Sequence, residues 1–321
     1  MELMFLFTKH LSKPYYLDQL ESASRRIAMT HHKHSEIEHW RTKLLSNYYG
    51  EKKILPVLTH LSSKESRILF DLRLPLPDHS YCQIDVLIVT RNFALILEVN
   101  HSPLPNLTKD YRFMHVNDRI ESRMPDPLSQ AELQAHQLTY WLTMAGFQSI
   151  PIHYFVVLTS PASFIHPSYG SNSQVIHLDQ LLTAFQSLDR LYNSSPLEEF
   201  ELNRLCDLLV IEHTPYQPFI LDRFHLHKTD ILQGVICPEC SNLPMKRVHG
   251  RWYCKSCHHT SRNAHVEALK DYQFLFGERI TNQRACAFLK LDSSTAALQI
   301  LNEVACEKSG LNKTLYYVFN E

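Results

Sequence analysis

Two sets of residues in this chain have types and spacings that could do chemistry. The first is a pair of cysteine doublets, Cys237-Pro-Glu-Cys240 and Cys254-Lys-Ser-Cys257, separated by 13 residues. A Cys-x-x-Cys turn aims two thiolates at one point, and two such turns complete the tetrahedral set that Zn²⁺ prefers. Four protein ligands leave no open coordination position, so zinc bound there is structural. Reduced structural cysteines or a redox pair would leave the doubled spacing without a reason. His249, His258 and His259 are adjacent alternative ligands, but four thiolates already fill the coordination sphere. Cys82, Cys206, Cys286 and Cys306 lack such spacing and read as small core residues.

The second set is Asp85, in Gln83-Ile84-Asp85, and Glu98, in Glu98-Val99-Asn100. Each acid interrupts an apolar run, Cys82–Thr90 and Phe93–Val99, and Arg91-Asn92 between the runs predicts a tight hairpin. A hairpin centred there sets Asp85 directly opposite Glu98 on one face, with Cβ atoms roughly 4.5–5.5 Å apart. Two carboxylates so placed among Val86, Leu87, Leu95 and Leu97 repel each other and are costly to bury. A divalent cation between them offsets both costs, and oxygen donors suit Mg²⁺ or Mn²⁺. A one-residue change of register would send the acids to opposite faces. Solvated acids at strand ends, or acids paired with Arg or Lys, are the plainer alternative.

Residues 15–48 carry apolar positions at helical spacing (Leu17, Leu20, Ile27, Ile37, Trp40, Leu44), and 51–60 reads as a further helix. Strands are expected over 66–74, 82–90 and 93–99, an amphipathic helix over 128–145 and a buried strand over 152–159. That order predicts an α/β fold with a mixed sheet flanked by helices. Helical periodicity returns over 178–191 and 197–211. After the cysteine module come Arg284–Leu289 and a second short helix, Ala296–Val304, capped by Asp292-Ser-Ser-Thr295, then a turn and a strand. These suggest a helix-turn-helix with a small wing, presenting Ser293, Ser294, Thr295 and Gln299 to phosphates or base edges. A small helical cap on the cysteine module is the alternative.

The chain has 32 Lys+Arg against 33 Asp+Glu, so its global charge identifies no partner. Residues 231–321, however, hold 11 basic and 8 acidic side chains, a surplus that favours a polyanion there. No stretch approaches the roughly 18 apolar residues of a membrane span, and the start lacks the pattern of an export signal. Together with the metal-type cysteine spacing, this points to the cytoplasm.

Gly50-Glu51 opening a helix, Gln83-Ile84-Asp85, Glu98-Val99-Asn100 and Asp126-Pro127-Leu128-Ser129-Gln130 occur in an order that resembles the nuclease-related domain (NERD) family. That family is an offshoot of the PD-(D/E)xK restriction-endonuclease-like superfamily, and the resemblance covers roughly residues 36–160. The arrangement with a C-terminal cysteine module looks like larger members from Bacillus-type bacteria. The resemblance implies a restriction-endonuclease-like fold in which Asp85 and Glu98 hold Mg²⁺ or Mn²⁺, Glu51 binds or orients the ion, and Gln130 supports the site. The family's Glu-x-Lys reads Glu-Val-Asn here, so uncharged Asn100 stands where a lysine would orient water and offset phosphate charge. Lys109 offers a cation in the following loop, and His101 is expected on the opposite face.

The expected organisation is therefore a helical leader (1–35), a nuclease-related domain (36–175), a helical connector (176–230), a zinc ribbon (231–262) and a helix-turn-helix or winged-helix-like tail (263–321). The expected function is metal-dependent DNA phosphodiester cleavage, slowed by Asn100. A non-catalytic DNA-binding or scaffolding protein, or a zinc-dependent protein-interaction module, are the alternatives.

Overall fold

A computed structural model describes residues 7–61, 66–101, 126–147, 150–161, 163, 174–192, 194, 196–304, 307–310 and 315–319. Lys109 and Cys306 lie outside the described residues. The chain divides into two compact units, Met1–Lys13 with Lys43–Tyr216, and Pro14–Thr42 with Gln217–Glu321. Residues 14–42, which take in most of the expected leader (1–35) and the start of the expected nuclease-related domain, cluster with the C-terminal part, and the expected 176–230 connector is divided at Tyr216.

The first two helices are α1 (Tyr15–Arg26) and α2 (His34–Leu58). The break comes at Ile27, which is extended and forms an isolated β-bridge with Ile231, so helical periodicity stops there. Beyond it α2 runs unbroken through Gly50-Glu51, which corrects the expectation that this dipeptide opens a helix.

Unit one is built on a six-stranded sheet in the order β1 (Phe7–Lys9), β2 (Arg67–Pro75), β3 (Tyr81–Val89), β4 (Ala94–Asn100), β5 (Ile152–Leu158), β6 (Val175–His177). Strands β2–β3–β4 are antiparallel, and the β1–β2, β4–β5 and β5–β6 pairs are parallel. The sheet is thus mixed and flanked by helices. On one face Leu87, Val89 and Ile96 pack against Leu138, Trp141 and Leu142 of α3 (Pro127–Met144). Leu202, Leu205 and Leu209 of α5 (Glu199–Ile211) join the same core, and α4 (Leu181–Leu191) lies between these two helices in sequence. On the other face Val86, Ile88, Leu95 and Leu97 pack against Ile54 and Leu58 of α2 and Leu181 and Phe185 of α4.

Two adjacent strands change phase at the same level. In β2, Leu69 belongs to the α3 face and Phe70 to the α2 face, yet Leu72 and Leu74 return to the α3 face. In β3, Cys82 and Ile84 face α3, Val86 and Ile88 face α2, and Leu87 faces α3 again. The switch falls at Asp71 and Asp85, which stand opposite each other between the pairs Phe70↔Val86 and Leu72↔Ile84. Asp71 takes a left-handed backbone (φ 44°), the local distortion that resets a strand's alternation.

In unit two α1 packs on α6 (Ala264–Phe276). Arg26 is fully buried and donates from Nε to Asp271 (2.8 Å) and from Nη1 to the carbonyls of Leu232 (3.1 Å) and Gly234 (2.7 Å). Its guanidinium lies 4.7 Å from the Phe288 ring centroid. Strands β7 (Lys246–Val248), β8 (Arg251–Tyr253) and β9 (Thr260–Ser261) form an antiparallel sheet beside the cysteines, with Trp252 buried and donating to His265 Nδ1 at 3.0 Å. There follow β10 (Arg279–Ile280), α7 (Asn282–Leu289), α8 (Ser294–Val304), β11 (Glu307–Ser309) and β12 (Tyr316–Val318), the strands pairing in the order β10-β12-β11. Two short helices thus accompany a three-stranded sheet. Lys290 caps α7 in the left-handed conformation, and the Ser293 hydroxyl accepts from Ala296 N–H at the start of α8. Ser293, Ser294, Thr295 and Gln299 are exposed.

Candidate functional site

The β3–β4 ladder pairs Val86 with Leu97, Leu87 with Ile96 and Val89 with Ala94, the register of a hairpin centred between Arg91 and Asn92. The paired register ends at Val86↔Leu97, and Asp85 and Glu98 are the residues that adjoin it on the two strands. Beyond the paired residues, Val99 N–H donates to Asp85 Oδ2 at 2.9 Å.

Glu98 is buried and turned towards α3, where two amides hold it. Gln130 Nε2 donates to Oε1 and Gln134 Nε2 to Oε2, each at 2.8 Å. The motif that starts α3 explains how. Asp126 is the N-cap, accepting from Leu128 and Ser129 N–H, and Pro127 occupies the first turn, where a missing N–H costs nothing. The cap sets the helix phase, so Gln130 and Gln134, four residues apart, meet the same carboxylate. Gln134 was not identified from sequence; its i+4 spacing from Gln130 was the available signal.

Glu51 reaches the same cluster from α2, and Asp71 reaches it from the phase switch in β2. Burial, then the charges of Asp85 and Asp71, raise Glu51 to about 9. Burial, partly opposed by the Val99 N–H, and the Asp71 charge raise Asp85 to about 6. Burial, followed by Asp85, drives Glu98 well above the ordinary carboxylate value. Lys9, from β1, lies within electrostatic reach of Asp71 and Glu51 and donates to the carbonyls of Phe70 (2.7 Å) and Asp71 (3.0 Å). Burial lowers its own pKa. Neither Asp71 nor Lys9 was identified from sequence. Ile68, Phe70, Leu72 and Leu74 alternate smoothly and hide the reversal at Asp71, and Lys9 lies far from every motif.

All these side-chain donors are oxygens, a set suited to a hard cation, and their repulsion is the cost that such a cation relieves. The oxygens are not gathered, however. Among the described residues, no three carboxylates place their oxygens within 4.8 Å of one another. Asn100 ends β4 beside this cluster, and its carbonyl accepts from Thr159 N–H at 2.9 Å.

Cys237, Cys240, Cys254 and Cys257 do meet that distance, with Cys237–Cys257 sulfurs 3.7 Å apart and Cys240–Cys254 sulfurs 3.6 Å apart. A tetrahedron with Zn–S of about 2.3 Å requires S···S of about 3.8 Å, so the cage fits zinc closely. The two knuckles are built alike. Ser241 N–H donates to Cys237 O and His258 N–H to Cys254 O; Cys237 N–H donates to Asn242 O and Cys254 N–H to His259 O. Ser241 and His258, each following a second cysteine, are both left-handed. Backbone donors from Cys257 and Ser256 bring the Cys254 thiol down to about 7, whereas the neighbouring thiols push Cys257 up to about 12, so the metal-free cage shares its protons unevenly.

The family model described as the nuclease-related domain (NERD) matches residues 46–159, about a third of the chain, and spans Glu51, Asp85, Glu98 and Gln130. That segment is similar to nuclease-related domains, in line with the four motifs. No curated protein and no solved structure matches the chain. Among the described residues no helix is long and apolar enough to cross a membrane.

Proposed function

We propose that the chain is a metal-dependent DNA phosphodiesterase of the bacterial cytoplasm. Asp85 and Glu98 hold Mg²⁺ or Mn²⁺, with Glu51 and Gln130 supporting them. The observation that carries this reading is the group of acids Glu51, Asp85 and Glu98, from α2, β3 and β4, whose pKa values burial and mutual repulsion push upward. When bound, the ion would supply Lewis-acid stabilisation of the scissile phosphate and a more acidic water. The chain's own contribution is positional. Gln130 and Gln134 fix both Glu98 oxygens, and the Val99 N–H fixes Asp85. Zinc on the four cysteines is structural, and the basic surplus and exposed α8 residues of unit two engage DNA.

A second reading, a DNA-binding or scaffolding protein without catalysis, is supported by uncharged Asn100 and by carboxylates that are not gathered. Mn²⁺ titration followed by plasmid cleavage separates the two. Parent protein should bind Mn²⁺ and nick DNA. Asp85→Asn and Glu98→Gln should each weaken Mn²⁺ binding at least about tenfold and abolish nicking. Binding without cleavage supports the second reading, and no Mn²⁺ binding at all removes the first.

A further inference from the structure

The half-buried ammonium of Lys9 bonds to main chain although acids lie within reach of its charge. Its Nζ donates to the carbonyls of Phe70 at 2.7 Å and Asp71 at 3.0 Å. The charges of Asp71 and Glu51 both act on it, yet among the described residues it forms no ion pair with either. Nor does any hydrogen bond among the described residues reach the carboxylates of Glu51 and Asp71. Lys9 also lies outside the segment matched by the family model, so no motif of that domain assigns it a task.

The two bonds report a backbone shape. In a regular strand consecutive carbonyls point to opposite edges, so one ammonium cannot hold two in succession. Here it can, because Asp71 is left-handed (φ 44°) at the point where β2 changes phase opposite Asp85. A left-handed residue other than glycine is disfavoured, aspartate less than most, so that shape gains from an external clasp. Lys9 clasps the reversed form of β2 and has no equivalent grip on a straight one. The difference decides where a side chain goes, since a one-residue change of alternation sends it to the other face of the sheet. In the reversed form the Asp71 charge acts on both Glu51 and Asp85.

Resting on the nuclease reading above, we propose that Asp71 is a further carboxylate of the metal site and that Lys9 is its positioning residue, holding β2 reversed through the Phe70 and Asp71 carbonyls. Lys9 adds no ligand of its own. Because its protons are committed to carbonyls, the Asp71 and Glu51 oxygens stay open to a divalent cation, with which a lysine ion pair would compete. Its charge meanwhile offsets part of the repulsion among the acids.

A double-mutant cycle on the full chain, read by Mn²⁺ affinity, tests this. Asparagine tolerates the left-handed backbone, so Asp71→Asn removes the charge and keeps the reversal. Asp71→Asn and Lys9→Met should each weaken Mn²⁺ binding about tenfold, and the double variant also about tenfold, because both act through one carboxylate. Lys9→Arg, whose guanidinium keeps several donors, should stay within about threefold of the parent. A lysine that only stabilised the fold would lower the melting temperature and leave the Mn²⁺ affinity of folded protein unchanged. Should Lys9→Met not fold, Lys9→Gln, whose amide can still hold one carbonyl, takes its place in the cycle. A loss of about a hundredfold in the double variant means independent action and overturns the positioning role. Affinity within about twofold of the parent in Asp71→Asn or in the Lys9 variant, where Asp85→Asn loses it, overturns this inference alone. A parent that binds no Mn²⁺ overturns both this inference and the nuclease reading.

Discussion

In unit two, four sulfurs stand together at zinc-like separations, with backbone N–H groups already directed at Cys254. In unit one, the carboxylates of Glu51, Asp71, Asp85 and Glu98 feel each other's charge without gathering as a trio. The difference follows from how each site is assembled. Each cysteine knuckle is local, closed by two hydrogen bonds within six residues, so its geometry comes with its own turn. The acid site draws on α2, β2, β3, β4 and α3, and its members repel until a cation arrives. A soft, closed cage stabilises its segment, whereas a hard, repulsive cluster costs stability in exchange for affinity.

Zinc removal breaks the comparison with the largest effect. Cys254→Ser or strong chelation should release one equivalent of metal and unfold β7–β9, because structural zinc in small modules contributes about 10–16 kcal/mol. Trp252, buried in that sheet, should report the loss by a red-shifted fluorescence, while amide protection of β2–β5 persists. Metal-free protein that keeps Trp252 buried would count against a structural role.

The acid site should respond in the opposite way, and to pH. Glu51 has a folded-state value of about 9 against an ordinary 4.5, so the folded state holds a proton that the unfolded state has lost between those values. Stability without divalent metal should therefore be full below pH 4.5 and fall as pH rises towards 9, on the order of 2 kcal/mol after solvent screening. Glu51→Gln should flatten this slope, and Mn²⁺ should do the same by favouring the ionised carboxylates. Thermal melts of unit one from pH 5 to 9, with and without Mn²⁺, measure both.

The smallest effect concerns charge. Asn100→Lys should raise nicking about tenfold by placing an ammonium beside the phosphate, with Mn²⁺ affinity little changed. An unchanged rate in a variant that still binds Mn²⁺ would favour the non-catalytic reading.

The contrast also explains what the sequence could reveal. Cys237, Cys240, Cys254 and Cys257 were legible because their geometry follows from spacing alone. The β3–β4 register, from Val86↔Leu97 to Val89↔Ala94, was legible because a two-residue loop leaves little freedom. Asp71 and Lys9 were not, since each enters the site through pairing between distant segments. The helical periodicity over 15–48 hid the break after Arg26, because Ile27 leaves the helix to bridge Ile231, more than 200 positions away. Gly50 was read as a helix start; its actual reason, the approach of His101, exists only in three dimensions.

The Arg26–Asp271 pair carries a consequence for biosynthesis. Its members are 245 residues apart. At roughly 5–20 residues per second, α1 leaves the ribosome about 12–50 s before its counter-charge is made. During that interval the whole of unit one can be synthesised, whereas unit two waits for the last quarter of the chain. A ribosome stalled just after Tyr216 has cleared the exit tunnel would therefore display a nascent unit one together with an arginine that has no acid to bury against. Such an intermediate is the natural client for a chaperone.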